Sequence, residues 1–447
     1  MSSTIAKTTN LRWPSWRVSL GVILLAAAFI YVWILPVFRP RGPFLWGHYR
    51  LKDIYLGIPV GLAFLSALPV LAVSGRYKRL LGLRLASISI SLMVALFVCD
   101  AAYALVVNGV WRANFWLDQG HIPRRYSIAD DELGFVRKPG VSWRGFVPDV
   151  NRTVHYRTDE NGFRNPAGVS RADVVLIGDS FTEAATVEEN DTFVRRLGAA
   201  SGLSVANLGR GAYGPQQELM VLQRYGLAYS PRVVVWQLFE GNDLTDARVF
   251  AEWKKGLQQE GASLKERYFE NSLLAEWTPR MSRPQSSLPD VKWQHSDGTE
   301  SRITPRYEYD PHAPAKNPLG FAETTQAIEA GYRLCQSKGV KLVVVFVPTM
   351  IRVLEPYVTF DRAEDQIRYL PNNVGSEKHN FSGRMAEFCF KLGCPFIDTF
   401  TVLRQAASID NRNLYIPVDE HLDIRGHEVV AQIVGEWLRS QATVSQE

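Results

Sequence analysis

The chain has 447 residues, with 50 Lys+Arg against 45 Asp+Glu, a net charge of +5 and 46% hydrophobic residues. Residues 1–107 hold 11 of the basic residues against only Asp53 and Asp100, which leaves 39 basic and 43 acidic residues for 108–447. The pI of about 8.9 therefore belongs to the N-terminal quarter, which removes the folded basic patch that nucleic-acid binding needs, and four Cys exclude a disulfide-dense scaffold.

Three apolar stretches come first, at about 18–38, 54–74 and 85–107. Each has about the 20 residues that cross ~30 Å of hydrocarbon. The first is too long for a signal-peptide core. No small-residue cleavage site follows it, and Pro36, Arg39, Pro40 and Arg41 close it. Tyr31, Trp33, Trp46 and Tyr55 fall near segment ends, where amphipathic rings favour the interface. An N-terminus inside the cell places seven loop cations in the cytoplasm (Lys7, Arg12, Arg17, Arg76, Lys78, Arg79, Arg84) and four outside (Arg39, Arg41, Arg50, Lys52). This asymmetry predicts a multi-pass protein of the cytoplasmic (inner) membrane, with everything after about residue 108 extracytoplasmic. Asp100 has two readings. It is a contact for a membrane partner or substrate, or an acid near the outer interface, where its cost falls below about 3 kcal/mol.

Residues 108–170 form a bridge in which turn signals separate short alternating runs such as Thr153–Arg157. These predict a few short β-strands that dock onto the main domain. From 171 to 447 the pattern is different. Asp173–Ile177, Val233–Phe239 and Leu342–Val347 are continuous apolar runs that suit strands buried on both faces, with shorter runs at Ser204–Asn207 and Pro395–Asp398. Helical patterns lie between them, at about 191–201, 215–228, 321–337, 378–392 and 425–440. Strand and helix alternate, so the expected fold is α/β, a parallel sheet with helices on both faces. Residues 244–317, with Trp253, Trp277 and Trp293, break the alternation and read as an insertion, helical near 247–275, that could cap a site.

Four motifs could carry chemistry. Gly178-Asp179-Ser180 follows the first buried run, where open parallel sheets bind ligands. Ser180 also suits a plain helix N-cap. Asn207-Leu208-Gly209-Arg210-Gly211-Ala212 follows the next strand, and its small residues let backbone N–H groups approach a ligand. Asn242 in Gly241-Asn242-Asp243 ends the third strand and could aim its N–H₂ into the same crevice, or form a turn with Asp243. Asp419-Glu420-His421 precedes the last helix and has the chemistry of an oriented general base, or of a polar loop that caps that helix.

Together these motifs resemble the SGNH, or GDSL-type, hydrolase superfamily over about 171–440 outside the insertion. The resemblance implies a flavodoxin-like domain. It implies Ser180 as nucleophile and His421 as base, with Asp419 orienting it. Ser180, Ala212 and Asn242 would supply the oxyanion donors. Ala212 stands where that pattern has Gly, Glu240 stands at another usual Gly place, and Asp419 precedes His421 by two residues rather than three. The two-residue spacing is similar to SGNH-type proteins of alginate O-acetylation, in which the Asp-x-His precedes the Ser.

The expected protein is a membrane-anchored hydrolase of acyl or acetyl esters of envelope glycans or lipids. An O-acyltransferase for a surface polysaccharide, with a membrane partner protein, is the alternative, as is a non-catalytic envelope assembly protein. No cofactor is implied. The eight His include no HExxH, and Cys389 and Cys394 lack a partner pair at ligand spacing, so no metal is expected. Cys335, Cys389 and Cys394 allow at most one internal disulfide, or are buried thiols.

Overall fold

The protein is described here from a computed structural model, which covers residues 15–41, 45, 48–72, 77–118, 122–256, 263–277, 288–371, 379–409 and 413–444. Lys7, Arg12, Trp46 and Arg76, and residues 257–262 of the expected insertion helix, lie outside the described residues. The chain divides into two units, 1–125 with 261–283, and 126–260 with 284–447.

The first unit contains three helices long and apolar enough to cross a membrane, Leu20–Phe38, Leu51–Pro69 and Leu80–Val107. Each overlaps one of the expected segments, the second and third starting three and five residues earlier. The second tolerates Pro59 and Pro69, as membrane helices do when neighbours re-satisfy the freed carbonyls. Trp33 is a packing residue between the first two helices, where its indole N–H donates to Gly57 O at 2.9 Å. Ser66 and Ser89 share a hydrogen bond of 2.6 Å between the second and third.

Asp100 is fully buried. Its carboxylate accepts from Tyr55 Oη, from Tyr268 Oη at 2.7 Å and from Leu274 N at 2.9 Å. Phe269, Leu274 and Ala275 pack against Tyr49, Leu51 and Ile54. The short helices Leu264–Glu270 and Leu273–Trp277 are thus held by the membrane helices, with Asp100 as the polar clamp. The carboxylate is thus engaged by donors of its own chain. The first unit extends beyond the expected 107, since 108–118 and 263–277 fall within it.

In the second unit the strands are β1 (Ser127–Asp130), β2 (Gly134–Arg137), β3 (Ser142–Val147), β4 (Arg152–Arg157), β5 (Val174–Ile177), β6 (Val205–Asn207), β7 (Val233–Phe239), β8 (Val291–Gln294), β9 (Glu300–Ile303), β10 (Lys341–Val347), β11 (Val358–Phe360) and β12 (Phe396–Asp398). The main sheet runs β6-β5-β7-β10-β12 and every pairing in it is parallel. Numbered along the chain, that order is 2-1-3-4-5, the flavodoxin-like arrangement, whose switch point lies between β5 and β7.

Every residue of β5 and β7 is buried, because helices cover both faces. On one face Val174, Leu176, Val233, Val235, Val343 and Val345 meet helices Phe193–Ser201, Phe400–Ile409 and Ile424–Val444. On the other, Trp236 packs on helix Pro318–Ser337, and its indole donates to Glu218 Oε2 at 2.6 Å.

The bridge supplies two antiparallel hairpins, β1–β2 and β3–β4. The 244–317 stretch does not form one body. Helix Asp243–Lys254 belongs to the α/β unit, where Asn317 Nδ2 and Gln216 Nε2 donate to its Leu244 and Ala247 carbonyls. Residues 264–277 join the first unit. Strand β8 pairs with both β9 and β11 in a small antiparallel sheet. Trp293 is buried in the main core there, and Trp277 lies in the first unit.

Candidate active site

The switch point gathers the four motifs at the carboxyl ends of neighbouring strands. Ser180 opens the four-residue helix Ser180–Glu183 directly after β5. Its cap is Asp179, whose Oδ1 accepts from Phe181 N at 2.9 Å. The hydroxyl of Ser180 is therefore not used on the helix.

The loop after β6 lies against this helix. Asn207 braces it, accepting from Gly209 N at 2.9 Å and donating to Thr182 O at 2.8 Å. A Cβ on Gly209 would fall 2.4 Å from Glu183 N, so only glycine permits the approach. Gly211 sits against Ser180 and donates to Glu183 Oε2 at 2.6 Å. Glu183 is buried between Arg137 and Arg210. Burial opposes its charge, but the two guanidiniums hold its pKa down, to about 2.

Ala212 has φ +65°, in the left-handed region. Its amide survives the exchange from Gly, but under strain. Among the described residues, neither the Ser180 N–H nor the Ala212 N–H has a protein acceptor. An Ala in this region costs about 1–2 kcal/mol, and the extra freedom of Gly in the unfolded chain returns about 0.4–1 kcal/mol. Ala212→Gly is therefore expected to stabilise the protein by roughly 0.5–1 kcal/mol. Urea midpoints on both forms check this, and a clear loss of stability would contradict it.

His421 sits in a tight turn closed by Ile416 N to His421 O at 2.8 Å and Asp423 N to Leu414 O at 2.9 Å. Its Nε2 is 2.8 Å from Ser180 Oγ, and its Nδ1 is hydrogen-bonded to Asp419 Oδ1. Glu420, between them, has φ +70°, a bend that lets Asp419 reach the ring across a two-residue spacing. Glu420 itself is buried and accepts from Arg306 N, Tyr307 N and Met350 N at 2.7, 3.0 and 3.1 Å. Burial outweighs these three bonds and lifts its pKa to about 7. Nothing in the sequence distinguished this anchoring acid from its neighbour. Arg306, 3.8 Å from Asp419 Oδ2, was likewise not foreseen, since it comes from a distant segment.

Burial works against a charged His421, but Asp419 overcomes it and holds the ring above its ordinary pKa. Burial also opposes the Asp419 charge, and His421 overcomes that, keeping Asp419 below the usual range. Phe181 packs on the imidazole, with ring centres 5.2 Å apart.

Asn242 follows β7, and its Nδ2 donates to Asp246 Oδ2 at 2.7 Å. Burial first, then the nearby Asp179, raises the Asp246 pKa to about 7. Glu240 is a structural residue. It bonds Thr349 N at 3.0 Å and Arg352 at 2.8 Å, fixing the segment after β10 to the end of β7. His427 lies elsewhere, in the last helix, and accepts from Phe193 N at 3.2 Å. Cys335, Cys389 and Cys394 are buried free thiols. Among the described residues, no group of three or more His, Cys, Asp or Glu is placed to hold a metal.

No protein-family model and no curated protein matches the chain. Among solved structures it is similar to a G-D-S-L family protein from Desulfitobacterium hafniense, at 14% identity over 59% of this chain and 97% of that one, TM-score 0.33. It is similar to a GDSL-like lipase from Bacteroides thetaiotaomicron, at 12% identity over 60% and 88%, TM-score 0.31. It is also similar to an acetylxylan esterase from Geobacillus stearothermophilus, at 10% identity over 59% and 92%, TM-score 0.31. At these values the likeness adds nothing to the strand order, which by itself defines a flavodoxin-like α/β fold.

Proposed function

We propose that this protein is a membrane-anchored, SGNH-type hydrolase of ester bonds. The observation that carries the reading is the hydrogen-bonded series Ser180–His421–Asp419 at the switch point of the sheet. Ser180 Oγ attacks an acyl carbonyl while His421 Nε2 takes its proton. Asp419 keeps the proton of the neutral ring on Nδ1 and stabilises the imidazolium. The N–H groups of Ser180 and Ala212, with the Asn242 amide, hold the tetrahedral oxyanion. His421 then gives its proton to the departing alcohol. Water, deprotonated by His421 in turn, releases the acid and restores Ser180.

Acyl or acetyl esters of envelope glycans or lipids are the proposed substrates. Their support is the three spans together with the basic asymmetry of the short loops, which favours an extracytoplasmic catalytic unit in the inner membrane. Transfer to a sugar hydroxyl would use the same acyl-Ser180 intermediate and remains the alternative. The direct test is turnover of p-nitrophenyl acetate by the full-length protein in detergent, with intact-mass detection of acyl-Ser180. Ser180-dependent turnover is expected. Its absence across short and long acyl esters would leave the non-catalytic assembly reading in its place.

Orientation gives a separate expectation. A reporter fused after residue 447 should be active only outside the cytoplasm, and a Cys introduced near residue 80 should be shielded from impermeant reagents in intact cells. A cytoplasmic reporter would reverse the topology and remove the proposed substrates.

A further inference from the structure

The Asn242 side chain is not used as a helix cap, although Asn242 stands at the N-terminus of helix Asp243–Lys254. The next residue, Asp243, turns back to accept from Phe239 N at 2.7 Å. Asn242 gives one amide hydrogen to Asp246 Oδ2, at 2.7 Å. Its Oδ1 is buried and has no hydrogen-bond partner among the described residues. A carboxamide has two ends of similar size and opposite polarity, and its nitrogen carries two hydrogens. Here only the Asp246 bond decides which end is which.

We infer that Asp246 is a positioning residue, which holds the Asn242 carboxamide with a free N–H, not its oxygen, toward the acyl oxygen on Ser180. The inference rests on the ester-hydrolase reading above. The geometry of the helix supports it. Asp246 lies one turn beyond Asn242, and its own N–H donates to Asn242 O at 2.8 Å, so the two side chains share a face. The Asp246 oxygen accepts one amide hydrogen at 2.7 Å and leaves the second hydrogen of the Asn242 nitrogen for another acceptor. Without it, the unpartnered Oδ1 is free to turn toward the developing oxyanion and repel it.

The same helical turn also supports the other donor loop. A Cβ on Gly214 would lie 2.8 Å from the Asp246 carbonyl carbon and from Ala247 N, and Gln216 Nε2 donates to Ala247 O at 2.9 Å. The loop that carries Ala212 is therefore seated on the backbone of Asp246 and Ala247. Both oxyanion donors outside Ser180 are referenced to one turn of helix.

A double-mutant cycle on the full-length protein in detergent, with p-nitrophenyl acetate, tests this. Asn242→Ala removes a donor and should lower kcat by about 10²–10³. Asp246→Ala should lower kcat by roughly 10- to 100-fold, with KM within about twofold, since the loss is in the transition state. Placed in the Asn242→Ala background, Asp246→Ala should cost nothing more. Asp246→Asn keeps an acceptor oxygen of the same shape but adds a competing N–H₂, so it should recover only part of the activity that Asp246→Ala loses. If Asp246→Ala does not fold, Asp246→Ser closes the same cycle. An equal loss in both backgrounds, or an unchanged kcat, would overturn the positioning role while the hydrolase stands. Absence of Ser180-dependent turnover in the wild type would overturn both.

Discussion

Ser180→Ala is expected to reduce turnover to background while the protein stays folded. Removing the Ser of a Ser-His-Asp triad costs on the order of 10⁶ in kcat in a well-studied protease, and the present geometry gives no second nucleophile to replace it. The structural cost is small. Ser180 loses one hydrogen bond, 2.8 Å to His421 Nε2, worth about 1 kcal/mol. The helix cap is untouched because Asp179 supplies it. His421 keeps its bond to Asp419. Thermal unfolding and kcat, measured on the same preparation, separate the two effects. A variant that retains half the wild-type rate would remove Ser180 from the chemistry.

The fold was largely legible because the signals that set it are local. Val174–Ile177, Val233–Phe239 and Lys341–Val347 are strands that no polar residue interrupts on either face, except Gln237 in β7 and Lys341 at the start of β10. The helices between them carry ordinary amphipathic patterns. Ser180, His421 and Asp419, which the structure brings into one hydrogen-bonded series, could be singled out because each follows a strand end or precedes the last helix. Hidden features depend on partners remote in sequence. Strand β11 joins β8 across more than 60 residues, and each is short. Tyr268 and Leu274 meet Asp100 across roughly 170 residues, so neither the docking of 264–277 nor the use of Asp100 could be read from periodicity. The strain at Ala212 was visible only as a condition, since a sequence shows which residue replaces Gly but not its φ. The role of Glu420 depends on three backbone N–H groups from two other segments, and side-chain chemistry alone did not separate it from Asp419.

His421→Ala and Asp419→Asn are expected to be nearly as damaging, and His427→Ala is not. The proposed mechanism needs the neutral His421 ring with its proton on Nδ1. Asp419 fixes that tautomer, and replacing the corresponding acid by Asn in chymotrypsin-type triads costs about 10⁴ in kcat. The pH dependence has a definite sign. Asp419 raises the folded pKa of His421 above its ordinary value. Activity should therefore fall as pH drops through that raised pKa. Stability runs the other way: the ion pair contributes fully below the unfolded pKa of about 6.5, and the contribution is lost as pH rises through the folded pKa. Asp419→Asn should move the acid limb of kcat/KM to lower pH as well as depress the plateau. His427 is different in kind. Burial, then Arg164, pushes its pKa down to about 3, so the ring is neutral throughout the working range and only accepts from Phe193 N. His427→Ala leaves that buried N–H unpaired, at about 1–3 kcal/mol, and should lower the unfolding midpoint while kcat survives. If His427→Ala abolished turnover in a folded protein and His421→Ala did not, the base would have to be reassigned and the geometry at Ser180 would need another explanation.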